Sequence, residues 1–340
     1  MEEFAISKQF RGYTIHYVDQ DGNGYLSRFN QVFQVNNEGH LKLLVTLPYT
    51  KSIYRFIKNN LVERLTRTNI SHILPLNDES LLVFFDHKIY KLDPTGALSE
   101  YYIKTCRRPV NIYYNNITER ILWGDYLASY NNVINIYESR DLGKSWDILY
   151  TFPRGTIRHI HNIVYDKYSQ HFWVLTGDSD EESGIWKTKD FKDFKPFLVG
   201  SQSYRSMSII PTADGLLIPT DTEYNENYIQ FYSYKSSRLK RIQKLDGSAF
   251  FAQRINDNYF ISTVCEPSKT NKIKYTDLWI SKDINNWNRI LHLKGDIFAG
   301  RVFRYPSIKL PYYSDNYFKD FIYLSARSVK GGTYTIKINI

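Results

Sequence analysis

Cysteine is scarce in this chain: Cys106 and Cys265 are the only two among 340 residues. Two thiols cannot build a disulfide framework, and their spacing matches no metal-ligand pattern, so both read as buried thiols. Long hydrophobic runs are also missing. No apolar stretch approaches the roughly 20 residues that a bilayer span requires, and the mean hydropathy is -0.45, so no membrane span is expected. The N-terminus, MEEFAISKQFRGYT, has no apolar segment of the kind a secretory signal needs, which sets a cytoplasmic location as the expectation. Helical periodicity is nearly absent as well. What is present is 42% hydrophobic and 23% charged residues, enough for a sizeable packed core and incompatible with a disordered or fibrous chain.

Lysine and arginine number 44 against 35 acidic residues, a net charge of +9, which favours anionic partners. Nucleic acid, an anionic glycan and a lipid surface all fit that sign. The densest basic patch, RLKR at 238–241, is too short to act as an arm or tail and reads as a solvated strand edge. A nucleic-acid role therefore ranks last, since positive charge without a recognised binding motif is weak support.

Short apolar clusters recur along the chain. Leu81-Val83-Phe85, Ile121-Trp123, Phe172-Val174 and Leu216-Ile218 are each bounded by turn-forming residues, the pattern of an all-β protein. The stretch Ile53–Thr66 fits a helix or a strand equally well. From Pro109 to Leu293 the chain divides into four consecutive units of four strands. One of them is RHIHNIVYD, HFWVLTGD, SGIWKTKD and KPFLV. A repeat of about 48 residues over 340 implies a β-propeller of about seven four-stranded blades, with six as the alternative. The whole chain, 1–340, reads as one propeller domain. Its last unit (Val302–Leu310, Asp320–Ser325, Thr333–Ile338) shows only three strands, so a strand near Phe4–Ser7 or Tyr13–Val18 is expected to complete the ring.

One turn motif sharpens the pattern. Ser139-Arg140-Asp141-Leu142-Gly143-Lys144-Ser145-Trp146 fits S/T-x-D-x-G-x-x-W, in which the Asp and Ser side chains bind turn backbone and the Trp wedges the turn against the blade. Shortened copies stand at Thr188-Lys189-Asp190 with Phe194 and at Ser281-Lys282-Asp283 with Trp287. The first lies 49 residues past Ser139, and the second lies 93 residues further on. On these motifs the central half of the chain resembles the Asp-box (BNR-repeat) β-propellers, the superfamily that includes sialidases and glycoside hydrolase-like proteins. The resemblance implies boxes between the third and fourth strands of a blade and a carbohydrate site at the opposite mouth of the central channel.

Two residue sets follow the repeat toward that mouth. Before the innermost strands stand Arg108, Arg158 and Arg205, spaced by 50 and 47 residues, with Arg301 or Arg304 in the last unit and Phe250 in the remaining place. Converging guanidiniums suit a carboxylate, sulfate or phosphate, unless acidic residues of neighbouring blades pair with them. At the ends of the second strands stand Asp86, Asp125, Asp178 and Asp221, with Glu266 just beyond and Arg327 in the last unit. The Asp178 loop, GDSDEESG, gathers four carboxylates beside the arginines and is the expected source of an acid with a raised pKa, or else a solvated turn. His159 and His161 share one strand face, so either can serve as a base. The pair can also hold a metal, although the sequence shows no third ligand. No cofactor is expected, a divalent ion at His159 and His161 being the one alternative. Tyr126, Tyr204, Tyr224 and Tyr305 fall at the mouth, where rings can stack on sugars.

The expected activity is a carbohydrate-active enzyme on a uronate- or sialate-type oligo- or polysaccharide, as hydrolase or lyase. The alternative is a glycan-binding or polysaccharide-assembly propeller without turnover. Asp178, His159, His161, Tyr204 and Glu223 are the catalytic candidates, and Arg108, Arg158, Arg205, Arg304, Asp125, Asp221 and Arg327 the substrate-binding ones. Two departures count against a sialidase. Its N-terminal Phe-Arg-Ile-Pro motif is missing, with Phe303-Arg304-Tyr305-Pro306 as the nearest string, and Glu223 is adjacent to Tyr224, which sends the two side chains apart on a strand. In a lyase, arginine neutralises a uronate carboxylate while His159 or a tyrosine takes the neighbouring carbon-bound proton.

Overall fold

The computed structural model describes residues 6–49, 60–66, 68–103, 108–129, 131–268, 270–271, 274–298, 300 and 303–340. Cys106, Arg301 and the 53–59 part of the ambiguous stretch lie outside the described residues.

Second strands of the repeats are buried along most of their length, because neighbouring units cover both of their faces. Leu81–Phe85 is buried at every position, and so is Gly215–Pro219. Fourth strands are the reverse: Leu98–Tyr102 is exposed at four of its five positions. This gradient from a dry inside to a wet outside is that of a β-propeller. Four-stranded antiparallel meanders are formed by His72–Pro75 through Leu98–Tyr102, by Ile112–Asn115 through Asp147–Phe152, by Ile160–Asp166 through Phe194–Val199 and by Ile210–Thr212 through Arg238–Leu245. Thr14–Val18 through Leu41–Thr46 forms another, to which Tyr312–Tyr313 adds in parallel. The remaining eight-stranded sheet is two blades joined through one residue pair, Val264 with Ser307. Counted so, the described residues form seven blades.

The last blade takes its outer strand from the other end of the chain. Ile6–Arg11 pairs antiparallel with Gly332–Asn339, Phe10 opposite Thr335 and Arg11 opposite Tyr334. Thr14–Val18 instead opens the first blade, where the Ile15 amide donates to Ser325 Oγ of the last at 2.8 Å. Blades meet through close side-chain contacts. A Cβ at Gly124 would stand 2.6 Å from the Ile160 side chain of the next blade, which is why glycine ends that second strand.

The Asp-box sequence forms the turn between the third and fourth strands of its blade. Ser139 Oγ donates to Asp141 Oδ1 at 2.9 Å and accepts from the Gly143 amide at 2.8 Å, while the Ser145 amide donates to Asp141 Oδ1 at 2.9 Å. The residue after each box aspartate, Leu142, Phe191 or Ile284, has φ of 57°, 64° or 70°. Bulky side chains rarely adopt that conformation, so its recurrence marks the turns as copies of one structure. In the shortened copy at 188–194 the fully buried wedge is Phe191 rather than Phe194.

Among the described residues no helix is long and apolar enough to cross a membrane. Among the described residues the one α-helix, Asn60–Thr66, lies in the connection between the first and second blades. Arg64 fastens it to the connection before the last blade, with Nη1 2.5 Å from Asp296 Oδ2 and Nε donating to the Phe303 carbonyl at 2.7 Å.

Candidate functional site

Because blades are antiparallel meanders, each inner strand starts, and each second strand ends, at the same rim of the ring. A central cavity of about 1180 Å³ opens there and continues along the inner strands past Tyr114, Val164 and Arg254.

On one side of this mouth the fourth blade supplies a histidine pair and a carboxylate. His159 precedes the inner strand, its backbone bridged to Tyr126, and the Tyr126 ring stacks on its imidazole at 4.2 Å between centroids. The register slips between Ile160 and Asn162, leaving His161 as the extra residue of a bulge, a device that re-aims a side chain. Asp178 reaches both rings from the second strand's exit. Its Oδ1 lies 3.2 Å from His159 Nε2, 3.6 Å from His161 Nε2 and 3.0 Å from Arg205 Nη2. Burial pushes the Asp178 carboxyl up, but the two histidines and Arg205 outweigh it and hold the group well below the ordinary carboxylate range. For His161 burial dominates over the Asp178 contact, and the ring titrates below its usual value.

The loop carrying Asp178 is held rigidly. Gly177 has φ of +92°, and a Cβ there would fall 2.1 Å from the Glu182 backbone. The Ser183 amide donates to the Ser179 carbonyl at 2.9 Å, and Gln202 Nε2 donates to the Asp178 carbonyl at 2.7 Å. Gln202 begins a 3-10 turn, Gln202–Tyr204, which delivers Arg205 to the mouth from the fifth blade. Arg205 is buried, and its Nη2 also lies 3.5 Å from Asp221 Oδ2 and 3.6 Å from Glu223 Oε1. The next blade adds Glu266. Burial first, then repulsion from Asp221 and Glu223, pushes its carboxyl up to about 7.

The opposite wall is cationic. Arg108, Arg304, Arg327 and Lys309 all line the cavity. Arg108 Nη1 donates to Asn69 Oδ1 at 3.0 Å, and Arg304 donates to the same oxygen. Arg327 packs its guanidinium 6.0 Å from the Phe251 ring centroid, and its Nε has no hydrogen-bond partner. Burial and then Arg304 bring its pKa down to about 9. Lys309 Nζ lies 2.9 Å from His16 Nδ1 and 3.2 Å from the Ser71 carbonyl. Burial, followed by the three arginines, drives its ammonium well below the usual lysine value. Among the described residues Glu63, on the short helix, feels Arg304 and Arg108, yet burial leaves its carboxyl raised above the ordinary value.

The expected residues therefore sort into three groups. Asp178, His161, Arg205, Asp221, Glu223, Arg108, Arg304, Arg327 and Tyr305 all line the cavity. His159 stands directly behind Asp178. Arg158 is neutralised at the rim, its Nε 3.1 Å from both Glu182 oxygens and its Nη2 3.9 Å from Asp178 Oδ2. Asp125 and Tyr204 do not line the cavity. Asp125 is fully buried and accepts from the Asn135 amide at 3.0 Å, a turn role, and Tyr204 closes the 3-10 turn. Tyr224 is 66% exposed and stands away from the cavity lining. The carboxyl pushed up toward neutrality is Glu266 rather than Asp178, because Asp178 sits against Arg205 and two imidazoles whereas Glu266 sits among carboxylates. Lys309 and Glu63 were not singled out from sequence. A lysine inside an apolar strand, SIKL, is the one signal that marks the former.

No family model matches the chain, and the search of curated proteins finds no match. Solved structures do match over nearly the whole chain. The chain is similar to a propeller chain of the mitotic checkpoint complex (TM-score 0.61, 10% identity, covering 100% of this chain and 94% of that one). It is also similar to streptogramin B lyase (TM-score 0.59, 12% identity, 99% and 97%). A third similar structure is virginiamycin B lyase from Staphylococcus aureus (TM-score 0.60, 12% identity, 99% and 100%). Identities this low carry the fold alone: the protein is a β-propeller.

Proposed function

We propose that the protein is a carbohydrate-active enzyme that binds an acidic saccharide, of uronate or sialate type, at the mouth of its channel and cleaves it by elimination. The observation that carries this reading is the division of one cavity into a cationic wall, Arg108, Arg304 and Arg327, and a facing acidic wall that includes Glu266. The guanidiniums suit a sugar carboxylate, and they stabilise the additional negative charge that builds up there when the neighbouring carbon-bound proton leaves. Glu266, with a pKa of about 7, exchanges a proton at neutral pH and supplies the acid or base. The Asp-box turns agree with this reading, and the similar propellers include lyases.

A second reading, a glycan-binding propeller without turnover, draws on the ion pairs that occupy Arg158 and Arg205. A panel of sialylated, uronate-containing and neutral oligosaccharides separates the two. Elimination yields an unsaturated product that absorbs in the ultraviolet, hydrolysis yields new reducing ends without that absorbance, and a binding module yields neither. Binding confined to neutral sugars would overturn the acidic-saccharide reading.

A further inference from the structure

The two histidine rings beside Asp178 have their protonation pattern set by backbone. His159 Nδ1 lies 3.0 Å from the Leu127 carbonyl, and His161 Nδ1 lies 3.1 Å from the Ser206 carbonyl. A carbonyl only accepts, so each Nδ1 carries a hydrogen and each neutral ring turns the lone pair of Nε2 toward the mouth. Both lone pairs face Asp178 Oδ1, an oxygen that is itself only an acceptor when ionised. His159 is 3% exposed, yet its Nε2 has no hydrogen-bond partner. Three acceptors converging in a buried corner repel one another unless a cation stands among them. Of the three acceptors Arg205 Nη2 approaches Oδ1, at 3.0 Å, and His159 Nε2 stays unserved.

From this geometry we propose that His159 Nε2, His161 Nε2 and Asp178 Oδ1 bind a divalent first-row transition metal, with Zn²⁺ as the ion the donor set fits. Their ligand atoms lie within 4.8 Å of one another, and two imidazoles with one carboxylate select zinc-like ions over magnesium or calcium. The carbonyls on Nδ1 are the outer contacts that orient metal-binding histidines. Arg205 yields Oδ1 to the ion and keeps its contacts with Asp221 and Glu223. The ion leaves coordination positions open toward the cavity, where it can polarise a sugar oxygen. The site stands without the saccharide reading, because ion binding is measured with no sugar present.

The test is titration of the chelator-stripped full chain with Co²⁺, followed by visible absorption, with Zn²⁺ added as competitor. One ion per chain, displaced by Zn²⁺, is expected. Asp178→Asn, nearly isosteric, and His159→Ala should each weaken binding on the order of 100-fold or more, since loss of even an outer contact typically costs 10–100-fold. His171→Gln, elsewhere in the same blade, should leave it unchanged. If Asp178→Asn, folded by circular dichroism, binds Co²⁺ as tightly as the parent, or if the parent binds none, the proposal is overturned and the triad is an imidazolium–carboxylate pair.

Discussion

Replacing Glu266 with glutamine makes the acidic wall measurable without any knowledge of the substrate. The carboxyl is raised from 4.5 to about 7, chiefly by burial and then by Asp221 and Glu223. Between those two values the folded protein holds a proton that the unfolded chain has released, so the contribution of this group to stability falls as pH rises through the window. The difference corresponds to a ceiling of about 3 kcal/mol, and partial exposure to the cavity reduces it to about 1–3 kcal/mol. Glutamine remains neutral at every pH. Glu266→Gln should therefore match the parent near pH 5 and exceed it by about 1–3 kcal/mol at pH 8, as measured by urea unfolding in the presence of a chelator. An equal difference at both pH values would mean that the Glu266 carboxyl is not raised by its surroundings.

Gly177→Ala sets a side chain against the Glu182 backbone at positive φ, and it should lower unfolding free energy by about 2–4 kcal/mol while loosening the Asp178 loop, read out by thermal melting. Asp141→Ala removes the acceptor for Ser139 Oγ and for the Ser145 amide, and about 1–2 kcal/mol should be lost in denaturant titration with no change at the mouth. Deleting residues 1–11 strips the outer strand from the last blade and bares the edge of Gly332–Asn339. Loss of a cooperative melt, with self-association in sedimentation, is expected.

The ring was legible in the sequence wherever a strand is buried on both faces, as at Leu81–Phe85, and wherever a turn has fixed chemistry, as at Ser139–Trp146. Boundaries were less so. Repeat spacing sets Arg205 just before the fifth inner strand, yet that strand begins only at Ile210, beyond the 3-10 turn Gln202–Tyr204 that Ser201 caps. The helix Asn60–Thr66 is ambiguous in sequence because it is seven residues long and is fastened by Arg64 to Asp296, a contact far away in the chain. At the site, repeat spacing was enough to bring Arg108, Arg205, Asp178 and Asp221 to one rim. It could not say which guanidinium meets which carboxylate. Arg158 turns to Glu182 because the Asp178 loop folds back on itself, whereas Arg205 reaches across from the neighbouring blade. The third partner of His159 and His161 escaped the sequence for the same reason: Asp178 joins them across a strand pair, 17 residues beyond His161.

The proposed function stands on recognition of a sugar acid by Arg108, Arg304 and Arg327. Calorimetric titration of a uronate oligosaccharide and its carboxyl-reduced neutral counterpart, against the parent protein and Arg327→Gln, tests it most directly. Binding of the acidic sugar alone is expected, weakened at least about tenfold by the substitution, since a hydrogen bond to a charged group contributes roughly 1.5–3 kcal/mol. Equal affinity for the neutral sugar, or affinity for the acidic sugar that Arg327→Gln leaves unchanged, would contradict it.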